Sequence, residues 1–344
     1  MRAQAPPYGK DRYPDFRMNV SAPSASPPLS AGTRLPGTPE PMHEWTGVAG
    51  NRIAGDAWGP VDGPLVLLQH GGGQTRHAWK RVGVALGTAG YRTVSLDARG
   101  HGDSEWPADG DYGQSAMVAD LECVIAQLGA RRPVLVGASM GGGTSLVAIG
   151  EGRVDATALV LVDIAPKVEA DGVAKIEAFM ARDPGGFDSL QDVADAIASY
   201  QPHRKPPASL EGLAKNVRLG ADGKYHWHWD PRFRTARRSL QERQRRFEQC
   251  AAGLTLPTLL VRGGLSDVLT EEGARAFLQL VPHSEYVNVL NAGHMVAGDR
   301  NDHFGQAVIE FLARKLPVGG KPMHPAQGRS GAYAPVGLDL HDVP

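Results

Sequence analysis

Four short runs constrain this chain more than any other feature. Leu65-Val66-Leu67-Leu68-Gln69, Pro133-Val134-Leu135-Val136-Gly137, Ala158-Leu159-Val160-Leu161-Val162 and Thr258-Leu259-Leu260-Val261 are apolar at consecutive positions. A strand with one wet face would alternate apolar with polar residues; these do not, so both of their faces need cover. Helical patterns fall between them, at Arg76–Ala89, Ser115–Leu128, Ser139–Ala148, Glu271–Leu280 and Phe304–Leu312. Tyr91–Leu96 and Glu285–Val289 read as two more strands. Buried strands alternating with helices predict an α/β fold with a mostly parallel sheet covered by helices on both faces.

The alternation stops between Ile164 and Leu256. That stretch is polar and helix-rich (Val168–Ala181, Leu190–Ser199, Leu210–Val217, Thr235–Gln249). It is too long for a connection inside a compact fold. We read 165–254 as a helical cap inserted into a core formed by 42–164 and 255–316. Residues 1–41 are rich in proline with no apolar period, which predicts a disordered arm, and Met18 and Met42 are alternative starts. The Gly- and Pro-rich 317–344 reads as a flexible tail.

Composition removes several classes of function. Lys+Arg number 36 against 37 Asp+Glu, a formal net charge of −1 that argues against a nucleic-acid partner. No run of about 18 apolar residues occurs, so no membrane-spanning helix is expected. Cys123 and Cys250 are the only cysteines, which excludes a disulfide scaffold or a Cys-rich zinc site and makes a reducing cytoplasm the expected location.

The chemistry begins at Gly137-Ala138-Ser139-Met140-Gly141, a G-x-S-x-G between a predicted strand and a predicted helix. In that context the pattern is a nucleophile elbow: Ser139 sits on a sharp turn, and the glycines allow strand and helix to pack closely. A serine hydroxyl needs a base, and the base an orienting carboxylate. His294, in a loop after the last strand, is the candidate base. For the acid we take Asp267, which follows the Leu259–Val261 strand. Asp163, one strand earlier and leading into the cap, is its rival. His70-Gly71-Gly72-Gly73 follows the first buried strand and offers backbone N–H groups for an oxyanion, with Gly72 and Met140 as the candidate donors. His70 is read as a loop-shaping residue and not as the base.

These stretches, together with Leu96-Asp97-Ala98-Arg99-Gly100-His101-Gly102-Asp103-Ser104, resemble the α/β-hydrolase superfamily over most of 43–316. The flavour is that of the bacterial epoxide hydrolase-like and haloperoxidase-like group. True epoxide hydrolases carry an aspartate nucleophile where this chain has Ser139, so an alkyl-enzyme ester is not expected. The resemblance implies an eight-stranded sheet, a triad of Ser139, Asp267 and His294, and no metal or other cofactor. The segment around Arg99 is read as an Arg/Asp-braced turn.

The cap carries Trp227, His228 and Trp229, candidate lining of a substrate pocket; packing of cap on core is the competing reading, and zinc at His226/His228 is poorly supported. The basic run Arg237, Arg238, Arg243, Arg245 and Arg246 reads as a solvated helix face. The function expected is hydrolysis of a small carboxylic ester or lactone through an acyl-enzyme. Thioester or C–C bond hydrolysis and perhydrolysis use the same residues, and a non-catalytic ligand receptor is the alternative of another class. A small-molecule substrate is the only partner expected; the sequence leaves the oligomeric state open.

Overall fold

The computed structural model describes residues 32–130, 132–182, 185–200, 210–234, 239–295 and 301–318. The chain runs β1 (His43–Thr46), β2 (Arg52–Trp58), β3 (Leu65–Gln69), α1 (Lys80–Thr88), β4 (Arg92–Leu96), α2 (Gln114–Gln127), β5 (Val134–Ala138), α3 (Met140–Gly150) and β6 (Ala158–Val162). Then follow α4 (Ala170–Met180), α5 (Leu190–Tyr200), β7 (Val217–Leu219), β8 (Tyr225–Trp227), α6 (Leu240–Ala252), β9 (Thr258–Gly263), α7 (Glu271–Leu280), β10 (Glu285–Val289) and α8 (Asp302–Lys315). Eight strands form one sheet in the order β1-β2-β4-β3-β5-β6-β9-β10. Strands β3 to β10 of that sheet pair in parallel, and β1 and β2 are antiparallel additions at one edge.

The consecutive apolar positions of the central strands feed two cores, because successive side chains leave opposite faces. Leu65, Leu67, Leu135, Leu159, Leu161 and Leu260 point into one cluster, with residues of α2, α3, α6 and α7. Val66, Leu68, Val136, Val160, Val162 and Val261 point into the other, with residues of α1 and α8. A third cluster joins α4, α5 and the β7–β8 hairpin to Tyr112 and Met117.

The insertion after β6 divides in two. Residues from α4 to Phe233 pack in the third cluster, whereas Phe247, Cys250, Ala251 and Leu254, in and just after α6, belong to the first core cluster. Helix α6 therefore covers the sheet beside α3 and is not part of a separate cap. A capping box at Ser239 and Glu242 sets its start, later than the expected Thr235. Of the expected disordered arm, 1–31 lies outside the described residues, but 32–41 is ordered against the fold. Thr33 exchanges two backbone hydrogen bonds with Leu219, and Arg34 pairs with Asp103 at 3.7 Å. In the tail, Val318 packs on the second core cluster and 319–344 lies outside the described residues. Among the described residues no helix is long and apolar enough to cross a membrane.

Candidate active site

Strand β5 delivers Ser139 to the carboxyl end of the sheet, and α3 begins at the next residue. Ser139 has φ 45° and ψ −107°, left-handed backbone that a β-carbon resists. The turn is held because the strand and helix cannot separate around it. A Cβ on Gly137 would come within 2.3 Å of the Gly141 carbonyl carbon, and one on Gly141 within 2.6 Å of Gln69 Cβ. The two glycines of G-x-S-x-G are thus the contact surface between β5, α3 and β3.

His294 lies in the loop after β10 and is buried. Its Nδ1 is 2.6 Å from Oδ2 of Asp163, the residue that follows β6. The sequence expectation of Asp267 is corrected here. The Asp267 side chain is 42% exposed and bonds Lys175 Nζ on α4 at 3.0 Å, whereas that of Asp163 is fully buried. Asp163 is fixed on three sides: its Oδ1 accepts from the Gly263 N–H at 3.0 Å, and its Oδ2 accepts from Ser266 Oγ at 2.7 Å and from His294. Burying a carboxylate is tolerated only when its oxygens are satisfied in this way. Asp163, like Ser139, has positive φ, at 53°, a conformation that aspartate reaches more readily than most residues. The end of β9 and the turn after it therefore support the carboxylate through Gly263 and Ser266 and do not supply it.

The glycine loop after β3 packs on the elbow. A Cβ on Gly71 would lie 3.5 Å from Ser139 Cβ. The N–H of Gly71 is engaged by Gln74 Oε1 at 3.0 Å, while Gly72 and Met140 border the same cavity as Ser139. Met140 opens α3, where the first N–H groups have no intrahelical acceptor. His70 ties the loop down: Nδ1 meets the Gly71 carbonyl at 2.7 Å, and Nε2 accepts from the Ala98 N–H at 3.0 Å. That arrangement holds a neutral imidazole, and burial pushes its pKa below the usual histidine value.

The Arg99 segment is the braced turn expected. Arg99 donates two bonds to Asp120, and Asp97 accepts from both the backbone and the guanidinium of Arg76. Burial by itself would raise the Asp97 pKa, but Arg76 holds it well below the carboxylate range.

Ser139 and His294 share a cavity of about 1100 Å³, measured with the space open to solvent. Its apolar walls include Met117, Ile164, Ile176, Phe233 and Phe247. Trp227 and Trp229 are not among its walls. They stack on each other at 4.7 Å, 12° from parallel, and are buried in the third cluster. His228 also stays out of the cavity: its Nδ1 accepts from Gly102 N–H at 2.7 Å and its Nε2 meets the Gly73 carbonyl at 3.1 Å. These three residues pack the insertion onto the core, and His226 faces Asp222 instead of joining His228. The lining that sequence reading missed is on α6, where Arg243, Arg246 and Phe247 all face the cavity. Their i, i+3, i+4 spacing was the available signal.

A family model described as "alpha/beta hydrolase fold" matches residues 64–300. The chain belongs to this family. The esterase Rv0045c of Mycobacterium tuberculosis is 29% identical over 290 residues, 83% of this chain and 93% of that protein. Its solved structure superposes with a TM-score of 0.59 at 26% identity, covering 80% of this chain and 93% of that one. The sn-1-specific diacylglycerol lipase ABHD11 of Mus musculus is 28% identical over 260 residues, 73% of this chain and 81% of the lipase.

Proposed function

We propose that the protein is a serine hydrolase that cleaves a small carboxylic ester or lactone through an acyl-enzyme on Ser139. The observation that carries the reading is the 2.6 Å bond to a buried, three-bonded Asp163 from His294, which shares a cavity with a strained serine. Membership of the α/β-hydrolase family and similarity to an esterase and a diacylglycerol lipase support ester bonds as the target. In this mechanism the Asp163 carboxylate accepts the Nδ1–H of His294, which makes Nε2 the basic nitrogen. Nε2 takes the Ser139 proton as Oγ attacks the carbonyl carbon. The N–H groups of Gly72 and Met140 receive the oxyanion. The C–O bond to the leaving group breaks and His294 returns the proton to the departing alkoxide. Water, deprotonated by the same imidazole, then releases the acid and restores Ser139.

Labelling of the purified protein with a fluorophosphonate, beside Ser139→Ala, tests this reading. The wild type is expected to label and to turn over p-nitrophenyl esters, and the variant to do neither while melting at a similar temperature. Labelling or ester turnover retained in Ser139→Ala would remove Ser139 from the mechanism.

A further inference from the structure

Helix α6 presents two cations to the cavity. Arg243 and Arg246 line it on the same helix face as Phe247, and the described lining residues include no aspartate or glutamate. Arg246 is held in place rather than solvated. Its Nε and Nη2 bond the two carboxylate oxygens of Glu151 at 2.7 and 3.0 Å, and Nη2 reaches Ser115 Oγ at 3.1 Å. Its remaining nitrogen, Nη1, is buried and has no hydrogen-bond partner among the described residues. A buried donor left unmade is costly, and the N–H groups of a guanidinium nitrogen donate charge-assisted hydrogen bonds to a carboxylate. The cavity that Arg246 shares with Ser139 is lined in large part by apolar side chains such as Ile164, Phe233 and Phe247.

We propose that Arg246, assisted by Arg243, binds a carboxylate at the far end of the acyl chain, so that the preferred substrates are half-esters of dicarboxylic acids. The inference rests on the hydrolase reading and narrows its substrate class. Glu151 directly follows α3, twelve residues beyond Ser139, or about 18 Å along the helix axis. An acyl chain that reaches from Ser139 toward that end of the helix must be several carbons long.

The test compares mono-p-nitrophenyl esters of adipic and suberic acid with p-nitrophenyl hexanoate and octanoate, chains of equal length without the charge. The wild type is expected to favour the half-esters in kcat/KM by about ten- to a hundredfold, as for one charge-assisted hydrogen bond. Arg246→Gln and Arg243→Gln should shrink that ratio, and Arg246→Lys should restore part of it. Suberate binding to the wild type, read by calorimetry, tests the subsite without turnover and without a variant. Turnover of neutral esters with no preference for half-esters, together with no suberate binding, overturns the subsite and leaves the hydrolase reading standing. Suberate binding without fluorophosphonate labelling or ester turnover overturns the hydrolase reading and leaves the anion subsite.

Discussion

Asp163 and Asp267 differ by one strand of the sheet and by the whole of their surroundings. Each follows a parallel strand, so position along the sheet does not separate them. What separates them is the number of donors that reach the carboxylate. Asp163 receives the Gly263 amide, the Ser266 hydroxyl and His294 in a buried site; Asp267 receives Lys175 at the surface. An exposed ion pair of that kind contributes little. Asp163→Asn should therefore lower kcat by about three to four orders of magnitude through loss of the imidazole orientation. Asp267→Asn should leave kcat within about threefold, as a surface substitution. Steady-state kinetics of the two variants on one p-nitrophenyl ester checks the assignment, and a dead Asp267→Asn with an active Asp163→Asn would reverse it. The sequence made Ser139 and His294 legible because motif and loop position both pointed to them. It pointed to Asp267 for the acid because two of the donors that mark out Asp163, the Gly263 amide and the Ser266 hydroxyl, lie about a hundred residues further along the chain, at the end of β9 and in the turn after it.

At the scale of elements, legibility followed apolar continuity. The buried strands β3, β5, β6 and β9 were readable because every position is apolar or nearly so. Strand β2 was missed: Arg52, Gly55 and Asp56 interrupt it, and its polar residues are absorbed by partners such as Arg76. The β7–β8 hairpin was missed as well, although Asp222-Gly223 between its strands is a turn signal. The start of α6 likewise carried a readable Ser-x-x-Glu. The elbow is tightly packed, with three backbones meeting at Gly137 and Gly141. Gly141→Ala should cost about 3 kcal/mol or more, since its methyl would press on β3 backbone that cannot yield. Urea denaturation of this variant against wild type measures the loss, and an unchanged midpoint would mean that β3 gives way.

The molecule as a whole carries a histidine-dependent acid sensitivity. His70, His77 and His228 are buried, and burial is the largest cause in each of a pKa below the usual value, with His77 brought to about 4. The unfolded chain takes up protons at these residues as the pH falls through about 6.5, while the folded chain does not. Depressed histidines therefore contribute stability that is complete above pH 7 and lost as the solution becomes more acidic. Urea midpoints should be flat from pH 8 to 7 and decline from pH 7 to 5, with His228→Gln showing the shallower slope. A midpoint independent of pH over that range would contradict the neutral, buried state of these rings.

The small β7–β8 sheet has one further consequence. Its β7 edge is bonded to Thr33, ahead of the core in sequence, and its β8 edge to Phe187 within the insertion. Arg218 on β7 is also fastened to Asp103 of the core at 2.9 Å. A flap hinged only where its chain enters and leaves could lift as one piece. This one is latched from outside by the segment at Thr33 that precedes the core, so lifting it means breaking that latch. A protein begun at Met42 would keep Ser139, Asp163 and His294 under a cover that had lost its clasp.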